Sequence, residues 1–221
     1  MSPEIINQLL FATGQTLYMV GIAALVGTLL GLPLGVFLAT SRSGEIFPAP
    51  LANHAVGAVV NATRSTPFII LVVAIIPFTR LIAGTSIGTS AAIVPLTVAA
   101  TPFIARIVES AIREVDPGLI EAARAMGASP LQIVRKVLLP EARPSIVLGL
   151  TLSVVSLIGY SAMVGAVGGG GLGDLGIRYG YQRFLPEVMA AVVVVLIVLV
   201  QSVQSAGDAL ARRLDHRARR E

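Results

Sequence analysis

Few residues in this chain have both the type and the spacing for covalent chemistry. Residues 168–173 (Gly-Gly-Gly-Gly-Leu-Gly) fit the Gly-x-Gly-x-x-Gly pattern formally. A dinucleotide loop, however, must follow a strand and open a helix whose N-terminus meets the pyrophosphate. Here the run follows an apolar stretch of helical length. It reads instead as a flexible outer loop flanked by Asp174, Tyr179 and Tyr181. A phosphate-cradling Gly-x4-Gly-Lys-Ser/Thr loop is excluded, because the only lysine, Lys136, lies between Arg135 and Val137. There is no cysteine, and His54 and His216 lack metal-ligand spacing. Arg106 and Glu109 stand three residues apart and read as a structural ion pair. Nothing assembles a nucleophile with its base, a carboxylate pair or a metal site, which argues against a membrane enzyme.

The elements that carry these residues are set by composition. The 221 residues are 55% hydrophobic and 13% charged, with a mean hydropathy of +0.85. Soluble domains average about 25% charged, and this mixture would leave large apolar patches in water. The apolar content also excludes disorder. The expectation is one all-α integral membrane domain. The net charge of +4 does not point to nucleic acid, which needs a basic face with aromatic platforms. Five arginines crowd the last ten residues (Arg212, Arg213, Arg217, Arg219, Arg220) and the rest flank apolar runs, so they read as topology signals.

A bilayer core takes about 20 apolar residues as helix. Five stretches qualify: 17–40, 60–78, 88–105, 146–167 and 188–206, with Arg64 and Arg80 bracketing the second. None has a charge at its centre, so no mid-membrane ionisable residue supports an ion-coupled secondary transporter. Ser2-Pro3-Glu4 reads as a helix start for an interfacial segment over 1–11. The membrane domain then runs 12–206, with a long internal loop at 107–145 and a basic tail at 207–221. Twelve basic residues fall on the side of Arg42, the long loop and the tail, against Arg80, Arg178 and Arg183 opposite. The positive-inside rule therefore puts the N-terminus outside and the C-terminus inside. Gly27, Gly31 and Gly35 share one face of the first span and permit close backbone approach. Pro33, Pro67, Pro77, Pro95 and Pro102 predict kinked spans.

The long loop is too long to be a turn. Asp116-Pro117 reads as an N-cap followed by a first-turn proline, opening a helix over 118–126 that stops at Gly127. Ser129 and Gln132 form a capping box for a second helix that runs to Leu139 and stops at Pro140. The product is a short capped knob on the inner face. It suits docking to a partner, or resting on lipid headgroups, better than catalysis.

This loop carries a resemblance. Glu121-Ala122-Ala123, three residues, Gly127, nine residues, then Val137-Leu138-Leu139-Pro140 resembles the EAA loop of binding-protein-dependent ABC importer permeases, with Val137 in place of isoleucine. Further stretches are similar to the methionine-importer branch of that family: Arg64-Ser-Thr-Pro-Phe-Ile-Ile, Ile76-Pro-Phe-Thr-Arg80, Gly84-Thr-Ser-Ile-Gly88, Ala92-Ile-Val-Pro-Leu-Thr97, Pro102-Phe-Ile-Ala-Arg-Ile-Val-Glu109 and Gly159-Tyr-Ser-Ala-Met163.

The resemblance implies a five-helix type I ABC importer permease in a bacterial inner membrane. It implies a homodimer paired with a cytoplasmic ATPase dimer and served by an external substrate-binding (lipo)protein. ATP and Mg would be bound by the ATPase, with no cofactor in this chain. The implied ATPase-coupling set is Pro117, Gly118, Leu119, Glu121, Ala122, Ala123, Ala125, Met126 and Gly127. The solute path would lie on the two-fold axis, lined by spans two to four. Tyr160, Ser161 and Met163 are candidate gate residues, since a polar pair beside a thioether suits a methionine-like solute. Methionine rests on the resemblance alone, and another amino acid or a small osmolyte is the alternative.

Overall fold

The computed structural model describes residues 3–214, all helix and connecting turns. The Ser2 cap and the tail residues His216, Arg217, Arg219 and Arg220 lie outside the described residues. The helices are α1 (Pro3–Thr40), α2 (Pro50–Ser65), α3 (Phe68–Ala74), α4 (Ile76–Ala83), α5 (Thr89–Arg113), α6 (Pro117–Ala125), α7 (Pro130–Ile133), α8 (Leu139–Ala166), α9 (Gly171–Leu175) and α10 (Pro186–Leu214). Among the described residues four helices are long and apolar enough to cross a membrane: α1, α5, α7 with α8 as one unit, and α10. Counting the bent pair α2–α3 makes five.

The central packing is α1 against α5. The glycine stripe reads as expected: a Cβ on Gly27 would stand 2.8 Å from Ala100 Cβ, on Gly31 2.8 Å from the Thr101 carbonyl, and on Gly35 2.5 Å from the Ala105 carbonyl. Only bare backbone fits there, so the two helices touch along three turns. Around this seam Met19, Leu96, Ile104 and Val108 form a dry core with Leu138, Leu157 and Ile158 of the α7–α8 unit. Apolar side chains on the opposite faces, such as Leu25, Leu29, Val194 and Ile197, remain exposed, as a lipid-facing surface requires.

Four expectations about segment bounds change. The interfacial segment 1–11 is not separate, because α1 is one 38-residue helix from Pro3. The stretch 60–78 is not one helix. Thr66, preceding Pro67, takes an extended conformation (φ −80°, ψ 125°), as a residue before proline prefers, and the chain turns 105° between α2 and α3. The helix before Pro140 does not stop there. A π-helical turn over Val134–Leu138 widens the spiral, Leu139 N–H bonds five residues back to Val134, and Pro140 is absorbed without a break. The boundary at 206 falls inside α10, which continues to Leu214.

The glycine run at 168–173 is not a flexible loop. Leu172 and Gly171 are buried, and Gly88 N–H bonds to Gly168 O at 2.8 Å. The N-terminal N–H groups of α9 are met by α1 side chains: Gly171 N–H donates to Gln15 Oε1 (3.0 Å) and Leu172 N–H to Thr16 Oγ1 (2.9 Å). A Cβ at Gly171 would stand 2.7 Å from Thr16 Oγ1, so the glycines serve close packing rather than mobility.

Candidate functional site

At one end of the bundle α6 stands out as a pinned knob. Asp116 Oδ1 accepts from Gly118 N–H at 2.8 Å, and Pro117 fills the first turn. At its far end Gly127 adopts φ +77°, Ala128 N–H bonds back to Ala123 O (3.0 Å) and Gly127 N–H to Arg124 O (2.9 Å). That double closure is the Schellman stop, which uses a left-handed residue at this point. The Ser129–Gln132 capping box follows, with Ser129 N–H donating to Gln132 Oε1 at 2.8 Å.

Of the nine EAA-loop residues named from the sequence, eight lie on the surface: Pro117, Gly118, Leu119, Glu121, Ala122, Ala125, Met126 and Gly127. Met126 is 81% exposed. Ala123 is turned the other way, 4% exposed, and with Ile120 seats α6 on its own bundle. Behind that seat lies a cavity of about 190 Å³ between Pro117, Ile120, Ile112, Leu138, Glu45 and Arg113.

The same end is held by one buried carboxylate. Glu109, 4% exposed, is met by Arg106 on its own helix, by Arg113 at 3.1 Å and by Arg42 from the turn after α1 at 3.2 Å. Arg106 Nη2 also donates to Gly57 O (3.0 Å) and Asn61 Oδ1 (2.9 Å) of α2. The i,i+3 pair is therefore part of a clamp joining the end of α1, α2 and α5. Arg42 and Asn61 could not be read into it, because their separations in sequence carry no periodic signal.

A second cavity, about 160 Å³, opens between α2, α3, α5 and α8. Tyr160 stacks on Phe68 there, with ring centres 4.4 Å apart and planes 12° from parallel. Arg64, in the last turn of α2, lies over the Phe103 ring at 5.8 Å. Thr63, Thr66, Ser153 and Ser156 supply the polar part of the wall. Of the three sequence-named gate candidates, Tyr160 lines this cavity. Ser161 is 1% exposed with its hydroxyl bonded to Ile158 O at 2.7 Å, and Met163 is 47% exposed outside the cavity lining. Phe68, Phe103 and Arg64 were missed as wall residues. The break at Thr66-Pro67, legible as a pre-proline residue, was the available signal.

A bundle of apolar helices with a capped, surface-standing helix at one end has the make-up of a multi-pass membrane protein. Residues 31–220 match the family described as binding-protein-dependent transport system inner membrane component. A probable D-methionine transport system permease protein MetI from Vibrio cholerae is 61% identical over 209 residues, covering 95% of this chain and 93% of the relative. The D-methionine transport system permease protein MetI of Escherichia coli K12 is 54% identical over 165 residues, covering 75% and 76%. Among solved structures, an inward-facing conformation of the MetNI methionine ABC transporter superposes at TM-score 0.96 and 52% identity, covering 98% of this chain and all of the matched one. The chain belongs to the binding-protein-dependent transport system inner membrane component family. It is a permease subunit of the ABC-transporter kind, in which a separate subunit hydrolyses ATP.

Proposed function

We propose that this chain is the permease of an ATP-driven methionine importer of the bacterial inner membrane, working as a homodimer with two ATPase subunits and an external binding protein. The observation that carries the reading is α6. It is a nine-residue helix fixed by caps at both ends, with eight of the nine EAA-loop residues facing out. Ala122 and Ala125 keep its outer face narrow enough to enter a groove on the ATPase, and Glu121 offers a polar anchor. The substrate follows from the relatives' names, and the charge distribution favours the N-terminus outside and α6 inside. In this arrangement α2–α4 together make the second of five crossings. ATP closes the ATPase dimer and draws the two α6 knobs together, and the path opens outward to receive solute. Hydrolysis returns it inward. Tyr160 lines the path and Ser161 supports α8 behind it, while Met163, exposed on α8, is the third gate candidate. ATP and Mg stay with the ATPase, and this chain carries no cofactor.

The test is reconstitution of the purified permease–ATPase complex in proteoliposomes with its binding protein. Labelled methionine should accumulate with ATP and without an ion gradient. Uptake that follows an imposed gradient and ignores ATP overturns the reading.

A further inference from the structure

The cavity at Tyr160 has an unusual chemical make-up for a membrane helix bundle. Arg64 is exposed in the single chain and its guanidinium lies over the ring of Phe103, one helical turn from the Arg106–Glu109 cluster at the charged end of α5. Among the described residues no carboxylate pairs with it, in contrast to Arg106, Arg113 and Arg178. A charged side chain on a membrane helix normally faces protein or a water-filled path rather than lipid. The bend at Pro67 brings Phe68 of α3 into the same cavity wall as Arg64.

The hydroxyls complete the pattern. Thr63 donates to Val59 O (3.0 Å) and Thr66 to Ala62 O (3.1 Å). Ser153 donates to Gly149 O and Ser156 to Leu152 O, both at 2.9 Å. Each hydroxyl hydrogen is thus engaged in its own helix, and only oxygen lone pairs remain for a guest. The cavity offers a fork of N–H donors at one point and acceptor oxygens at others. The Phe68–Tyr160 stack supplies an apolar wall.

We propose that this cavity is a transit subsite for a zwitterionic amino acid with an apolar side chain. Arg64 takes the carboxylate in its planar fork. The Thr and Ser oxygens accept from the ammonium, and the aromatic stack lies against the side chain. The cavity volume of about 160 Å³ equals roughly five waters at ~30 Å³ each, the scale of one small solute. The inference rests on the importer reading and adds a recognition step inside the permease, separate from selection by the external binding protein.

The experiment uses the complete transporter in proteoliposomes, with Arg64→Gln, Arg64→Lys and, as a surface control, Arg80→Gln. Arg64→Gln should lower ATP-driven methionine uptake by about tenfold, the worth of one charge-assisted contact. Arg64→Lys should keep part of it and Arg80→Gln all of it, while ATP hydrolysis stimulated by loaded binding protein stays near the wild-type rate. In parallel, saturation-transfer NMR on the permease–ATPase complex without binding protein should show contact with methionine. It should show none with methioninol, in which a hydroxymethyl group replaces the carboxylate. Wild-type uptake in Arg64→Gln, loss of ATP hydrolysis together with uptake, or equal transfer to both compounds overturns the subsite. Failure of the wild-type transporter to accumulate methionine overturns the importer reading instead, and is read without any variant.

Discussion

At the residue scale, buried polar groups matter here for what they join. Glu109 satisfies three guanidiniums that come from two parts of the chain, and Arg106 carries the link on to α2. Glu109→Gln removes the charge but keeps the shape, leaving three cations clustered around a neutral amide. The expected cost is about 1–3 kcal/mol, moderated because the arginines are partly exposed. It should be read as a lower thermal unfolding midpoint of the detergent-solubilised complex. An unchanged midpoint would mean that solvent already screens the cluster. The two alanines of the EAA loop make a sharper contrast. Ala122 is exposed and Ala123 buried. Ala122→Trp should leave the permease folded and block co-purification of the ATPase. Ala123→Trp should overfill the seat of α6 and lower the unfolding midpoint itself, by the equivalent of about 1–3 kcal/mol. If both behave alike, the inward placement of Ala123 has no energetic meaning.

At the element scale, the close seam of α1 and α5 makes a clear prediction. Gly31→Leu would drive a side chain into the Thr101 carbonyl and Ile104. Separating two helices over three turns costs several side-chain contacts, so the yield of folded, monodisperse protein in gel filtration should fall sharply. The same substitution at Gly21, where a Cβ meets nothing within 4 Å, should be tolerated. Such features were legible in advance: the Asp116 and Ser129 caps and the Gly127 stop act within four residues of themselves, and the glycine period shows its face by local spacing although its partner, α5, is distant. What escaped the sequence was non-local or compensated. Pro140 read as a stop because nothing in its neighbourhood announces that five preceding residues will widen into a π turn. The glycines at 168–173 read as loose because their constraint comes from Gln15 and Thr16, more than 150 residues away. The wall shared by Arg64, Phe68 and Phe103 escaped because it depends on how sharply the chain bends at Pro67.

At the scale of the whole molecule, the two ends do different work. The end carrying α6 concentrates caps, ion pairs and exposed docking residues. The end carrying α9 is closed by backbone-to-side-chain bonds across α1, with the Asp174–Arg178 pair (Arg178 Nε to Asp174 Oδ1, 2.8 Å) beside it. Between them lies the cavity walled by the Phe68–Tyr160 stack. The π turn that carries the chain past Pro140 has a mechanical consequence. Because Pro130–Ala166 runs without a break, α7 and α8 act as one rod of about 45 Å between Pro130 and Tyr160, at 1.5 Å per residue. Within that rod the widened turn and Pro144, which lacks the N–H for its helical hydrogen bond, are the points where it can bend. On the importer reading proposed above, a displacement at α6 would reach the Phe68–Tyr160 stack through this rod, and the residues at 134–138 and 144 would set how much of it arrives.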